Sequence, residues 1–254
     1  MQWAFLHTPP LPGAANMAID EFLMTRARQS GTGVVRVYSW RYPALSLGRH
    51  QTARGAFDRE RARAHGIGLV RRLTGGRAVI HHREITYSVT APVAGGHALR
   101  DDYSTINQLL LAALGELGVY ADFAQPPRRL SPPASAPCFE IPAHGELMLH
   151  GRKLVGSAQL REHGAMLQHG SILVHDDQHR LGDVAVHPVP PTHAATLADA
   201  LERDVSAEEF ARHLRTQVHA TWDHEVSDLD ADAVIEAAQP LAARYESDEW
   251  TWRR

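Results

Sequence analysis

Two reactive side chains, Cys138 and Lys153, lie close together in the middle of the sequence. Cys138 is the only cysteine of the 254 residues, and Lys153 is the only lysine among 26 basic residues. A lysine ammonium can lose its proton in a buried site whereas a guanidinium stays charged, so a single lysine in an arginine-rich chain indicates acid–base chemistry or a compact point charge. Cys138 follows a loop rich in proline and serine, where a thiol is accessible, and the thiolate is the nucleophilic form of cysteine. These residue types make Cys138 a candidate nucleophile and Lys153 a candidate acid–base or point-charge residue, with a surface lysine left by chance as the alternative interpretation.

A second candidate site is the segment 71–88, RRLTGGRAVIHHREITYS. Its paired glycines, Gly75 and Gly76, allow a close approach of the backbone to a ligand or a positive φ angle. Three arginines beside them would serve an anionic group: Arg71, Arg72 and Arg77. The phosphate-binding patterns GxxxxGK[ST] and GxGxxG are both absent, so a tight turn is the alternative interpretation.

The 17 histidines do not form a metal-binding pattern. His81 and His82 are adjacent and would point to opposite faces of a strand, and no HExxH pair occurs. We therefore predict no metal site. His169 is a candidate hydrogen-bonding residue beside the lysine, with a core histidine as the alternative. A serine hydrolase is disfavoured because no G-x-S-x-G turn is present.

Composition narrows the class of protein. The hydrophobic content of 44% is sufficient for a sizeable core, and one cysteine excludes an internal disulfide, which fits a reducing compartment. The sequence shows neither a signal peptide nor an apolar run of about 20 residues, so we expect a cytoplasmic protein without a membrane span. Residues 1–90 carry 13 arginines against five carboxylates, whereas the whole chain has a net charge of −3. This asymmetry suggests a charged partner for the basic half, either nucleic acid or an acidic protein, with an ordinary solvated surface as the alternative interpretation.

The pattern of apolar and turn residues predicts a mixed chain. Helices are expected over 16–29, with Asn16 as N-cap, over 57–65 and 102–118, and around Phe210 and Val234. Strands are expected over 34–39, 44–48, 69–72, 78–80, 85–90, 146–150, 153–161 and 165–174, with turns at His150-Gly151 and His163-Gly164. Neighbouring strands in hairpin order favour an α+β fold with a largely antiparallel sheet over a doubly wound fold.

Five motifs resemble, in chain order, the signature blocks of the lipoate–protein ligase and octanoyltransferase superfamily. They are NMAIDE (16–21), PALSLGRHQ (43–51), the segment 71–88, GRKLVGSAQLREHGAMLQHGSI (151–172) and YESDEW (245–250). The resemblance implies a biotin/lipoate ligase-like fold, in which a mixed sheet is flanked by helices. It also implies that residues 1–254 form one catalytic domain without a C-terminal accessory domain.

The same resemblance implies a substrate site. The substrate-binding residues that it predicts are Arg71, Arg72, Thr74, Gly75, Gly76, Arg77, Ala78, His81, Gly156, Ser157, Ala158 and His169. The backbone around the paired glycines would line a tunnel for the acyl chain.

Among the chemistries of the superfamily, the chain is most similar to octanoyltransferases of the Gram-positive type. Cys138-Phe139 shortly before GRKLVGSAQ matches their arrangement, and Arg77 stands where the ligases tend to have a third glycine. The stretch Ala143-His144-Gly145 departs from their serine and aromatic residues, so the rim of the site is expected to differ. The resemblance implies that Cys138 takes octanoyl from octanoyl–acyl carrier protein as a thioester. Lys153 would activate the thiol and accept the proton of the incoming amine.

The implied acceptor is a lysine of a lipoyl-domain protein, such as the glycine-cleavage H protein or a 2-oxoacid dehydrogenase E2. Neither nucleic acid nor a membrane is expected as a partner, and no cofactor is required because the thioester is already activated. Three alternatives stay open. They are an ATP- and Mg-dependent lipoate–protein ligase using Lys153, an amidotransferase between lipoyl proteins, and a non-catalytic binding protein.

Overall fold

The computed structural model describes residues 1–93, 99–124, 146–222 and 226–254. Within these ranges the chain forms eleven strands: β1 (Trp3–His7), β2 (Gly33–Tyr38), β3 (Ala44–Leu47), β4 (Gly68–Arg71), β5 (Val79–His81), β6 (Glu84–Pro92), β7 (Asp122–Phe123), β8 (Leu147–Leu149), β9 (Arg152–Glu162), β10 (Ala165–Leu173) and β11 (Val226–Asp228). The same ranges contain eight α-helices: α1 (Gly13–Ser30), α2 (Arg59–Ala64), α3 (Leu99–Glu116), α4 (Leu181–Val184), α5 (Leu197–Leu201), α6 (Ala207–Trp222), α7 (Ala231–Glu246) and α8 (Asp248–Thr251).

An eight-stranded sheet in the order β11-β1-β2-β6-β10-β9-β8-β7 forms the centre of the fold. The pairs β11–β1 and β1–β2 are parallel, and the other neighbours are antiparallel. A second sheet of three strands has the order β4-β3-β5. The prediction of an α+β fold with a largely antiparallel sheet is therefore confirmed.

Helices cover both faces of the large sheet and divide the core between them. Apolar side chains of α3 and α6 pack on one face with residues such as Leu110, Phe210 and Val155. On the other face α1 and α7 pack together, with Leu23 and Ala238 among the buried residues. The small sheet has a separate core around Leu45 and Ile80. Within the described ranges, no helix is long and apolar enough to cross a membrane.

The predicted elements around the site are confirmed, with small shifts of their ends. The two turns joining β8 to β9 and β9 to β10 have positive φ at both central residues, at His150-Gly151 and His163-Gly164. Positive φ at both positions is typical of the tight hairpin turn whose twist matches that of the strands.

The prediction that Asn16 caps a helix is wrong, because α1 already begins at Gly13. The amide of Asn16 is buried and has a tertiary role. Its Nδ2 donates to the carbonyl oxygens of Leu11 and Ser39, and its Oδ1 accepts a hydrogen bond of 2.8 Å from Arg36 Nη2. The residue joins α1 to β2 instead of starting the helix.

Candidate active site

A cavity of about 480 Å³, including its open mouth, lies between the large and the small sheet. Its walls come from α1, β2, β3, β5, β6, β9, β10 and connecting segments that include the loop of the paired glycines, residues 74–77, here named the glycine loop. The residues of the wall are Met17, Tyr38, Trp40, Ser46, Arg72, Gly76, Val79, His81, Thr86, Gly156, Ser157, Ala158, His169, Gly170 and Ser171. Seven of the predicted substrate-binding residues are in this wall: Arg72, Gly76, His81, Gly156, Ser157, Ala158 and His169. The structure thus brings together two motifs that are about 80 residues apart in the sequence.

One side of the cavity is held by a buried chain of hydrogen bonds through His169. Its Nδ1 lies 3.1 Å from Asp20 Oδ2, and its Nε2 lies 2.7 Å from the hydroxyl of Thr74. Burial lowers the pKa of His169, assisted by Arg72, whereas the bond with Asp20 offsets part of this shift. The imidazole is therefore neutral at pH 7, donates from Nδ1 to the carboxylate and accepts from the Thr74 hydroxyl. Thr74 fixes the start of the glycine loop in this way.

Asp20 is the carboxylate at the centre of this network. It accepts hydrogen bonds from Arg36 Nη1 at 2.9 Å and from the Ser88 hydroxyl at 2.8 Å. Burial by itself would raise the pKa of Asp20, but the hydrogen bond with His169 and the charge of Arg36 bring it below the ordinary value. Neighbouring groups thus compensate the buried negative charge of Asp20.

A second chain of the same type runs through His81. Nε2 of His81 lies 2.7 Å from the Ser46 hydroxyl, and Nδ1 lies 2.7 Å from Glu84 Oε1. The Trp40 indole stacks on the His81 ring with 4.0 Å between centroids, and its N–H donates to the Thr86 hydroxyl. These polar groups therefore bond mainly to one another, although Glu84 Oε2 is buried without a partner among the described residues. An apolar chain can then lie in the cavity without taking partners away from them.

Two of the three arginines near the paired glycines bind backbone carbonyl groups. Arg72 donates to the carbonyl oxygens of Ser46, Gly75 and Arg77, at 2.7–3.2 Å. Its guanidinium therefore holds the glycine loop to β3. The half-buried Arg77 follows the loop, and its contact with substrate stays a prediction.

Arg71 is fully buried and donates to the carbonyl oxygens of Gly48, Gln51 and Thr251. Burial and the nearby charges of Arg253, Arg254 and Arg72 lower the pKa of Arg71 to about 10, so it keeps its charge at pH 7. Trp250 Nε1 in turn donates to the Arg71 carbonyl. These contacts join the glycine loop region to α8.

The paired glycines differ in their surroundings. Gly76 has a φ angle of 95°, and a Cβ atom there would lie 2.7 Å from Arg72 Nη2. Gly75 is exposed, has open space around it and is not in the cavity wall. Ala78, another predicted site residue, is buried in the core of the small sheet. Of the predicted tunnel backbone, only Gly76 borders the described cavity.

A bulge in β9 turns Lys153 toward the face of the sheet that borders the cavity, although Lys153 is not among the residues of the cavity wall. Leu147 pairs with Val155 but the next residue, Met148, pairs with Lys153, so β9 has one extra residue, Leu154. Leu154 and Val155 both pack in the core beneath α3. Because side chains alternate along a strand, the extra residue shifts Lys153 to the opposite face, which carries Gly156 and Ala158.

The ammonium of Lys153 lies 2.8 Å from Glu146 Oε1. Both side chains are buried, with exposed fractions of 2% and 4%. Glu146 precedes β8 and is therefore on the same face as Met148, two residues further on, and as Lys153. The predicted catalytic lysine thus has a buried carboxylate partner.

Ser157 donates to or accepts from the Tyr87 hydroxyl at 2.7 Å. Gly170 lies between them, since a Cβ atom there would be 2.8 Å from Ser157 Oγ and from Tyr87 Cε1. Burial raises the pKa of Tyr87, so it stays a neutral phenol. This contact fixes the strand segment that forms the β9 wall.

The predicted nucleophile Cys138 lies outside the described residues. Within the described part of the chain, no group of three or more His, Cys, Asp or Glu side chains is placed to hold a metal ion. Four residues of the site were not predicted from the sequence: Asp20, Trp40, Glu84 and Glu146. Asp20 and Glu84 carried a usable signal, because each lies inside a quoted motif and is a carboxylate within an otherwise arginine-rich half.

The profile of the family described as "Lipoyl protein ligase A/B catalytic domain" matches residues 12–219. Octanoyltransferase LipM of Kyrpidia tusciae is 38% identical over 279 residues, covering 99% of each chain. Octanoyltransferase LipM of Staphylococcus aureus is 32% identical over 272 residues, again covering 99% of each chain.

Solved structures show the same fold. A lipoate-protein ligase A bound with ATP superposes with a TM-score of 0.79 at 23% identity, covering 99% of this chain and 98% of that chain. The bipartite lipoate protein ligase of Thermoplasma acidophilum gives a TM-score of 0.75 at 22% identity, covering 99% and 96%. At these identities the likeness concerns the fold alone.

Proposed function

This chain belongs to the lipoyl protein ligase A/B catalytic-domain family, and we propose that it is an octanoyltransferase of lipoate biosynthesis. The donor would be octanoyl–acyl carrier protein, and the acceptor a lysine of a lipoyl domain, in the glycine-cleavage H protein or a 2-oxoacid dehydrogenase E2. The observation that carries the proposal is the buried Lys153, turned by the β9 bulge toward the same face as Gly156 and Ala158. Sequence identities of 38% and 32% to octanoyltransferases, each over 99% of this chain, support the proposal.

In the first half-reaction the Cys138 thiolate attacks the thioester carbonyl. A new carbon–sulfur bond forms, and the bond to the carrier sulfur breaks. The departing thiolate takes a proton from the Lys153 ammonium and leaves as the carrier thiol. The products are an octanoyl thioester on Cys138 and a neutral Lys153.

In the second half-reaction the neutral amine of the acceptor lysine attacks the acyl-enzyme. A carbon–nitrogen bond forms, the Cys138 sulfur departs as thiolate, and Lys153 accepts the proton that the nitrogen loses. The enzyme returns to its starting protonation, and the sum is thioester plus amine giving amide plus thiol. The reaction needs no cofactor, because the energy is already in the thioester.

The cavity supports an alkyl chain as the transferred group. Its polar side chains are hydrogen-bonded to other groups of the protein, and each CH₂ group buried against its walls would contribute about 0.8 kcal/mol. The positive charge of residues 1–90 would favour acidic protein partners through electrostatic steering. A cytoplasmic location, the single-domain organisation and the role of Cys138 stay predictions.

The experiment is intact mass spectrometry after mixing the protein with octanoyl–acyl carrier protein and quenching in acid. We expect an octanoyl adduct that hydroxylamine removes and that Cys138→Ala lacks. For the lysine, Lys153→Arg keeps the positive charge but can neither give nor take up a proton, so it should slow formation of the adduct and block transfer to the acceptor. Transfer that requires ATP and free octanoate and survives Cys138→Ser would identify a ligase instead.

A further inference from the structure

The contact between Lys153 and Glu146 suggests a role for the carboxylate that the proposed transfer reaction does not by itself require. We propose that Glu146 is a positioning residue that acts through Lys153 and serves the second half-reaction. This inference rests on the proposed function. The distance of 2.8 Å between Lys153 Nζ and Glu146 Oε1 and the burial of both side chains make the contact a charged hydrogen bond shielded from water.

Three backbone features hold the pair in place. The bulge at Leu154 turns Lys153 toward the face of Glu146. The carbonyl of Lys153 accepts a hydrogen bond of 2.9 Å from Ala195 N, and the carbonyl of Glu146 accepts one of 2.7 Å from Ala124 N. Both partners are therefore fixed by neighbouring chain segments, and bulges are a common means of re-aiming a side chain beside a reaction site.

The chemistry of the two half-reactions makes opposite demands on Lys153. It gives a proton to the departing carrier thiolate first and takes a proton from the acceptor nitrogen afterwards. The Glu146 carboxylate accepts a charge-assisted hydrogen bond from the Lys153 ammonium, and this charge assistance is lost while Lys153 is neutral. Glu146 therefore assists the step in which Lys153 takes up the proton and opposes the step in which it gives the proton away.

The test measures the rates of the two half-reactions separately in Glu146→Gln. Single-turnover acylation by octanoyl–acyl carrier protein should proceed at least as fast as in the wild type, while transfer from the purified acyl-enzyme to a lipoyl domain slows about 10- to 100-fold. Glu146→Asp keeps the charge and should recover part of the transfer rate. Asp177→Asn, which removes a carboxylate from the ion pair with Arg83 outside the cavity wall, is the matched control and should leave both rates unchanged.

Equal slowing of both half-reactions in Glu146→Gln would show a purely structural role and overturn the inference. So would unchanged rates in both, or failure of Glu146→Asp to exceed Glu146→Gln in transfer. A wild-type protein that is never acylated by the carrier would instead contradict the proposed function, so the two failures are distinguishable.

Discussion

Gly48 and Gly76 touch through their backbones, since a Cβ atom on Gly48 would lie 2.0 Å from the Gly76 carbonyl oxygen. The end of β3 thus sets the position of the glycine loop that borders the cavity. No side chain at residue 48 can be accommodated without moving that loop.

Gly48→Ala should therefore lower transfer activity at least 10-fold and the free energy of unfolding by about 1–3 kcal/mol, the usual cost of overpacking. Acylation assays and urea denaturation measure the two effects. Gly115→Ala is the matched control, because Gly115 lies in α3 and a Cβ atom there would meet nothing within 4 Å. It should be neutral or slightly stabilising, as alanine favours a helix more than glycine does. Wild-type activity in Gly48→Ala would show that transfer activity does not depend on the position of the glycine loop.

Asp20→Asn should be strongly destabilising, because Arg36 is buried and depends on this carboxylate for charge compensation. Breaking one side of a buried ion pair costs about 3–5 kcal/mol. Urea denaturation monitored by circular dichroism would measure this loss. Glu209→Gln disrupts a solvent-exposed pair with Arg203 and should cost no more than about 1 kcal/mol. Similar losses in the two variants would contradict the role given to Asp20.

The stability of the protein should depend on Asp177 in acid. Burial by itself would raise the pKa of Asp177, but hydrogen bonds from Arg83 and the charge of His82 lower it to about 2. A folded-state pKa below the unfolded value of 3.8 means that the contribution is complete above about pH 4 and is lost as the pH falls toward 2.

We therefore expect the free energy of unfolding of the wild type to exceed that of Asp177→Asn by about 1–2 kcal/mol at pH 6, allowing for partial solvent screening. This difference should shrink as the pH falls and become small near pH 2. Denaturation at several pH values would measure it. A difference that stays constant with pH would mean that the ionised carboxylate is not the stabilising form.

Local patterns were enough to predict the hairpins that form the β9 and β10 wall. Alternating side chains define the strands, and His150-Gly151 and His163-Gly164 mark the tight turns. The parallel pairing of β1 with β11 joins residues more than 200 positions apart, at Trp3 and Val226, and has no local signal. Only the complete sheet determines that pairing.

Seven of the fifteen residues described in the cavity wall were predicted, because the resemblance covers their motifs, and the family is confirmed by the matching profile. The partner of Lys153 was not predictable in this way. It depends on the bulge at Leu154, since a regular strand would have turned the lysine toward the core beneath α3. One extra residue in a strand hardly changes the pattern of apolar residues along the sequence, so the bulge in β9 could not be predicted from it.

The contacts between Arg71 and the Trp250–Thr251 segment make the neighbourhood of the glycine loop sensitive to a part of the chain about 180 residues away. Fraying of α8 would remove the Thr251 carbonyl from the Arg71 guanidinium and the Trp250 indole from the Arg71 carbonyl. A disturbance of this short helix would therefore reach the cavity through β4 without touching any residue of the cavity wall.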